Sequence, residues 1–159
     1  MAITFTNVIY DRVIDNLHDI IANEFGIQIF YDEHKGNQSF LIEPVSDDLN
    51  EQINTGMVRD YTILISYQVD FAGNYTKESF RQVSLVAERM KRLLYNNRNY
   101  SESGTRQFYN AVIDSTVYER DEDNPDLLRS EMTAVVSALE IIGWFTKQKN
   151  LILNLKTVR

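Results

Sequence analysis

The stretch from Asp60 to Tyr95 constrains the fold most, because a long strand pattern there leads directly into a long helix pattern. Apolar and polar residues alternate over 60–71, which is typical of a strand buried on one face. Over 80–94 the apolar spacing becomes three and four residues, which predicts one apolar stripe along a helix. Neither element can bury its apolar side alone, so we expect the helix to pack on the strand within a larger sheet. The apolar residues are Tyr61, Ile63, Ile65, Tyr67, Val69 and Phe71 in the strand, and Phe80, Val83, Ala87, Met90 and Leu94 in the helix.

The rest of the chain contains further strand patterns and one further helix pattern. A helix is predicted to begin at the N-cap Thr6 and to stop at Gly26, since glycine favours the left-handed conformation that ends helices. Turn residues separate the remaining strand patterns. The alternation in the last of them is the weakest, so a helix there remains an alternative. The predicted strands are 27–31 and 39–43, joined as a hairpin, then 108–118 and 127–142.

Together these patterns predict an α+β fold, with a mixed or antiparallel sheet of about five strands and two helices packed on one face. The chain has 159 residues, of which 43 % are apolar and 11 % aromatic, enough for one core of ordinary size. We therefore expect a single domain over residues 1–145. Residues 146–159 form an extension in which four basic side chains surround an apolar run.

The charge and the cysteine content exclude several classes of function. The net charge is −7, from 23 acidic and 16 basic residues, which disfavours nonspecific binding to a nucleic-acid backbone. Acidic walls would still let DNA pass without sticking. The absence of cysteine excludes disulfides, thiolate catalysis and cysteine-ligated metal. No secretion signal and no membrane-spanning stretch is recognisable, so we expect a soluble intracellular product.

The sequence contains no recognised catalytic motif. All six glycines are isolated, which excludes a P-loop and a dinucleotide-binding fingerprint, and there is no Gly-x-Ser-x-Gly elbow. The chain has two histidines, and nothing in the sequence places a serine beside either of them. We therefore predict no catalytic, cofactor-binding or metal-binding residues, and we do not expect an enzyme.

Three segments have some of the residues of a metal site. His18 lies on the first helix with Asp15 three residues before it and Asp11 far round the turn, but this spacing is so common that an exposed helix face is the favoured interpretation. The triplet Asp32-Glu-His34 precedes a turn, and turn chemistry explains it at least as well as a metal does. The acidic segment 121–126 lacks the glycine and the glutamate of an EF-hand, so we interpret it as a solvated turn.

Residues 46–59 have no clear period, and we interpret them as a long loop. Such connections are usually either solvated or used for binding, and both interpretations stay open. If the loop is a contact arm, a partner would bury its apolar residues. Charged residues of the last turn and of the C-terminal extension can also reach a neighbouring molecule. The candidate partner-binding residues are Leu49, Ile53, Met57, Val58, Arg59, Asp121, Asp123, Lys147 and Lys149.

The order of these elements resembles that of the tail terminator, or tail completion, proteins of tailed phages. The resemblance is carried by the strand Tyr61-Thr-Ile-Leu-Ile-Ser-Tyr-Gln-Val-Asp-Phe71 followed by the helix Phe80–Leu94. A helix like Thr6–Phe25 precedes this unit and a pair of long strands follows it. The resemblance covers about residues 5–142 and does not include the tail beyond Thr146.

The resemblance implies a structural virion protein that forms a hexameric ring on the head-proximal end of the tail tube. Such a ring stops tube polymerisation and docks the tail to the head connector. Its partners would be other copies of itself, the tail tube protein and the connector or head-closure protein, with no membrane involved. Genomic DNA would pass through the lumen without specific binding. The protein would assemble in the host cytoplasm and reside in the tail or neck of the virion.

Two alternatives to the tail terminator remain open. One is another neck, head-closure or minor tail protein of the same virion, which would use the same kind of contacts at a different level. The other is a small α/β enzyme or binding domain. A monomer with a deep polar pocket would favour the second.

Overall fold

Two helical segments pack on one face of a six-stranded mixed sheet in the computed structural model, which describes residues 5–73 and 77–142. The predicted α+β fold is confirmed, with one strand more than expected. A π-helical turn, Ile9–Ile14, continues into α1 (Asp15–Phe25), and α2 spans Lys77–Asn96. The strands are β1 (Ile29–Phe30), β2 (Gln38–Ile53), β3 (Gly56–Asp70), β4 (Tyr100–Glu102), β5 (Thr105–Arg120) and β6 (Leu127–Ile141).

The predicted long strand is β3, at the centre of the sheet. The strand order is β1-β2-β3-β6-β5-β4, with β1 parallel to β2 and every other pair antiparallel. Ile65 of β3 lies between Ile42 of β2 and Met132 of β6, and all three are buried. The two-residue period of β3 therefore marks the face on which the helices pack.

The predicted stripe of α2 packs against this face. Val83, Ala87, Met90 and Leu94 are all buried, in one core with the apolar side of α1. Arg89 links the helices, because it bonds the Glu24 carboxylate and its guanidinium lies over the Phe25 ring.

The ends of the first helical segment are only partly as predicted. Gly26 ends α1 in the left-handed conformation, with φ of 64°, as its position in the sequence indicates. Thr6 is not the N-cap. The helical segment begins at Ile9, after Val8, and no side chain caps it.

The predicted hairpin of 27–31 and 39–43 is wrong. Ile29 of β1 lies opposite Phe40 of β2 in a parallel pair, and β1 has only two residues. A tight hairpin joins only antiparallel strands. The connection between β1 and β2 must instead return the chain to the end of the sheet where β1 begins, so that both strands run in the same direction. By contrast, 127–142 is confirmed as a strand, since β6 pairs with β3 from Leu127 to Ile141. The short strand β4 lies in a segment where none was predicted.

The interpretation of 46–59 as a loop is also wrong. Strand β2 runs on to Ile53, and β3 begins at Gly56 after a two-residue turn. The pairing shifts register between Pro44 and Ser46 and again between Leu49 and Glu51. Each bulge inserts an extra residue, so the period of two is lost in the sequence although the chain is extended.

Candidate functional site

The distal half of the β2–β3 hairpin, residues 45–59, is the most exposed regular structure in the described chain, and we call it the arm. On one side β3 continues to pair with β6, up to Gly56 opposite Ile141. On the other side β1 covers β2 only at Phe40 and Leu41. Among the described residues no strand pairs with the outer edge of β2 in the arm, and the residues from 45 to 55 are all exposed.

The apolar candidates on the arm do not form one patch. Leu49, 54 % exposed, lies opposite Arg59, on the face that carries the helices further along the sheet. Ile53, 38 % exposed, and the half-buried Val58 point to the opposite face. Met57 is half-buried on the helix face. A partner that buries Leu49 must therefore approach the helix face of the arm. Ile53 lies beside the turn of the hairpin and points to the other face, so a partner would reach it at the tip of the arm.

Arg59 has a partner within its own chain. Its Nε donates a hydrogen bond to the Asp47 carboxylate across the hairpin, and this bond raises the pKa of the guanidinium. The pair fixes β3 to β2 at the start of the arm, so Arg59 stabilises the arm and is not free to bind a partner.

A groove of about 570 Å³ lies between the base of the arm and the N-terminal segment 5–9. The Arg12 guanidinium donates a 2.7 Å hydrogen bond to the carbonyl of Leu139, which holds the first helical segment against β6. Burial raises the pKa of the Tyr61 hydroxyl, with a further contribution from the Asp47 charge. The groove is lined by Asp47, Met57, Arg59, Tyr61 and Glu140 in addition to the N-terminal residues.

The acidic candidates Asp121 and Asp123 lie at the opposite end of the sheet from the tip of the arm. Asp121 Oδ1 accepts hydrogen bonds from the backbone N–H groups of Asp123 and Asn124, at 3.0 and 2.9 Å. The solvated turn is confirmed, since Glu122 to Pro125 are exposed. Asp121 shapes this turn, whereas the Asp123 side chain is exposed and has no ionic partner in the described part of the chain. The other candidates, Lys147 and Lys149, lie outside the described residues, as does the whole 146–159 extension.

A polar cluster that sequence reasoning missed surrounds His34. Its Nδ1 lies 2.8 Å from Ser39 Oγ and its Nε2 lies 2.9 Å from Ser66 Oγ. Both serines are buried in neighbouring strands. Nothing in the sequence placed a serine beside either histidine, and the contact with Ser66 joins residues 32 positions apart. The position of Ser66 on the polar side of β3 was the available signal.

The His34 cluster holds the 31–37 segment on the sheet. Burial, together with the nearby Arg129 charge, lowers the pKa of the imidazole to about 4, so the ring is neutral near pH 7. A weakly basic ring and two buried hydroxyls suit a structural clamp better than nucleophilic attack. The cluster borders a cleft of about 400 Å³, lined also by Glu33, Leu41, Glu43, Leu64, Gln68, Arg129 and Glu131.

The other segments weighed as metal sites have simpler contacts. His18 lies 3.1 Å from Asp19 and stacks on the Tyr31 ring. Asp32 accepts a hydrogen bond from Lys35, and its pKa is lowered first by the Glu33 backbone amide and then by Lys35. Within residues 5–73 and 77–142, no group of three or more His, Asp or Glu side chains is arranged to hold a metal ion.

A second groove, of about 310 Å³, separates α2 from β5 at the other edge of the sheet, and we call it the α2–β5 groove. Tyr95 and Val112 line it with exposures of 63 % and 51 %. Lys91 is bonded to Glu88 at 2.6 Å, whereas the exposed Arg92 has no acidic partner among the described residues. The groove is thus apolar with a net positive charge. It is also lined by Ala111 and Ile113.

Comparison with known proteins gives no assignment: no family model matches the chain, and no curated protein matches it. In the described part of the chain, neither helix has the length and apolar character needed to cross a membrane.

Proposed function

We propose that this protein is a structural component of a phage virion, a tail terminator that forms a hexameric ring on the head-proximal end of the tail tube. The observation that carries the proposal is the arm. It extends the sheet into solvent and exposes Leu49 and Ile53. A hairpin with exposed apolar side chains and a free edge is typical of a segment that contacts another chain.

The distribution of exposed apolar surface supports a ring. The arm lies toward the β2 edge of the sheet, and the α2–β5 groove lies toward the β5 edge. Two different contact surfaces on one subunit produce head-to-tail contacts, which close into a ring when the rotation per subunit allows. The number six comes from the resemblance to tail terminators.

The net charge of −7 supports a ring through which DNA moves. A mainly acidic subunit repels the phosphate backbone, so DNA can pass through the lumen without being held there. One rim of the ring would bind the tail tube protein and the other the head connector or head-closure protein. The protein would assemble in the host cytoplasm and remain in the virion.

Electron microscopy of tails assembled with and without this protein tests the proposal. Without a terminator, tail tubes should grow to uncontrolled lengths, and adding the purified protein should restore one length. Tubes of normal length that fail to join heads would instead assign the protein to a head-closure position and refute the terminator.

Native mass spectrometry tests the ring separately. A species of about six times the 18.5 kDa chain mass, either free or on tail tubes, is expected. A protein that remains monomeric both in isolation and in the presence of tail tubes would contradict the ring.

A further inference from the structure

We infer that the C-terminal extension, residues 146–159, binds the sheet face opposite the helices of its own chain, which we call the open face. On β3 this face consists of residues that alternate with those buried beneath the helices, and all of them except Ser66 keep part of their surface exposed. They are Val58, Asp60, Thr62, Leu64, Ser66 and Gln68. The inferred contact lies within one chain, so it does not depend on the proposed ring.

The extension follows a segment that ends close to this face. The backbone N–H of Ile142 donates a hydrogen bond to the carbonyl of Thr55, at the turn of the arm, and Ile141 on the open face is 69 % exposed. From there, the ten residues of β6 back to Glu131 cover about 33 Å. Residues 143–155 span up to about 45 Å when extended, so they can turn and follow the face over this distance. Attachment to the same chain gives a high effective concentration, which favours this contact over one with a second copy.

The open face is acidic where the extension would first meet it. Asp48 lies opposite Asp60 in the β2–β3 pairing, and Glu51 lies on the same face, opposite Val58. Like charges directly opposite one another destabilise a strand pair, so a cation placed beside these carboxylates stabilises the arm. Within the described residues, Asp48 and Asp60 have only neutral hydrogen-bond partners, namely Ser46, Asn50 and Ser137.

The order of residues along the extension matches the order of surfaces along the open face. Lys147 and Lys149 come first and can lie beside the carboxylates of the arm, and the apolar run 151–155 follows them. Beyond the arm, the open face presents Leu41 and Leu64 in the cleft of about 400 Å³ that also borders the His34 cluster. Burying the apolar run against these leucines removes apolar area from water on both sides of the contact.

The end of the apolar run is again followed by cations, and the cleft is again acidic. Three carboxylates and one guanidinium line the cleft, and the guanidinium, that of Arg129, already bonds Gln68 at 2.8 Å. Lys156 directly follows the apolar run, so it reaches the cleft when the run lies over Leu64. The carboxylates are those of Glu33, Glu43 and Glu131.

Cysteine crosslinking gives a direct test, because the chain contains no cysteine of its own. The test variant carries Val117→Cys and Leu153→Cys and is treated with a short bismaleimide. Val117 lies on the open face beside Glu131 and is 50 % exposed, so its substitution does not disturb the core. The matched control carries Leu85→Cys and Leu153→Cys, since Leu85 is 61 % exposed on α2, on the other side of the sheet. At low salt we expect crosslinking within one chain to exceed that of the control at least tenfold.

Charge reversal tests the ionic contact in the same assay. Lys147→Glu with Lys149→Glu should lower the crosslinking at least tenfold, and adding Asp48→Lys with Glu51→Lys should restore most of it. Loss without restoration would overturn the pairing of these lysines with the arm.

A second pair of substitutions controls for net charge. Arg81→Glu with Arg92→Glu changes two exposed side chains of α2 and alters the net charge as much as the lysine substitutions do. This variant should keep the crosslinking of the test variant. An equal loss in both would show that net charge, and not the position of the lysines, controls the reaction, and would overturn the contact.

The products also distinguish this contact from other occupants of the open face. Crosslinking no greater than in the Leu85→Cys control would overturn the contact. Crosslinked dimers in place of crosslinked monomers would assign the extension to the face of a second copy and would overturn the intrachain contact. The assay uses the isolated chain without tail tubes, so its failure leaves the proposed terminator ring intact, and failure to form a ring leaves this contact intact.

Discussion

Lowering the pH from about 7 to about 5 should destabilise the fold through His34. The pKa of this imidazole is about 4 in the folded protein, against an ordinary value of 6.5. As the pH falls below 6.5, the unfolded chain binds a proton that the folded chain does not, so stability decreases until the pH nears 4 and then levels off. Linkage between these two values predicts a loss of about 2 kcal/mol at about pH 5.

Urea denaturation followed by circular dichroism measures this loss at each pH. Carboxylates titrate in part of the same range, so the informative quantity is the difference between the wild type and a His34→Gln variant. Glutamine can still bond a serine hydroxyl but carries no titratable group. We expect the wild-type advantage over this variant to shrink by about 2 kcal/mol between about pH 7 and about pH 5.

The control is His18→Gln, which removes the other histidine and leaves the His34 cluster unchanged. The loss of stability attributed to His34 should persist in this variant. The reasoning fails if the His34→Gln variant and the wild type lose stability in parallel. It also fails if an NMR titration finds that His34 protonates near 6.5 in the folded protein.

Three further changes test the packing. Gly56→Ala should cost about 1–3 kcal/mol in a thermal or urea melt, because a Cβ there would overlap the facing β6 carbonyl; a melt like that of the wild type would contradict the close approach. Met90→Ala should cost about 2–5 kcal/mol because the side chain is fully buried, whereas Leu85→Ala, 61 % exposed on the same helix, should change stability by less than about 0.5 kcal/mol. Equal losses in the two helix variants would refute the assigned face of α2. Asp121→Ala should cost about 1 kcal/mol by releasing two backbone amides of its turn, and Asp121→Asn should retain most of that stability; identical unfolding midpoints would show that the turn does not need the side chain.

Burial determined most of what the sequence predicted. The alternation over 60–71 and the stripe over 80–94 each arise because one face of a regular element is removed from water, and both faces are as expected. Local turn chemistry likewise indicated Gly26 and the 121–126 turn correctly. Contacts between residues that are distant in sequence could not be predicted from these local patterns. The parallel β1 pairing depends on a connection that His34 fastens to Ser66, and no local pattern reports that contact.

Some of the candidate contact residues are accessible to a partner and others are not, for a physical reason. Leu49 and Ile53 are exposed, as a contact segment requires. Arg59 was also predicted to bind a partner, but it is ion-paired with Asp47 across the hairpin. A sequence shows which residues carry charge, but the strand register decides which charged residues lie opposite one another. The two bulges of β2 shift that register in this hairpin. The α2–β5 groove escaped prediction because its two walls belong to different elements.

The two bulges connect the failed prediction to the proposed function. A regular edge strand would have shown its period in the sequence, but it would also have offered an unbroken ladder to any passing strand. With Pro44 and the bulges in place, the β2 edge resists such pairing while Leu49 remains exposed. Affinity then depends on side chains that only a matching surface can accept, which separates specific assembly from aggregation. A subunit of the proposed ring would need this separation, because it would have to join one particular neighbour.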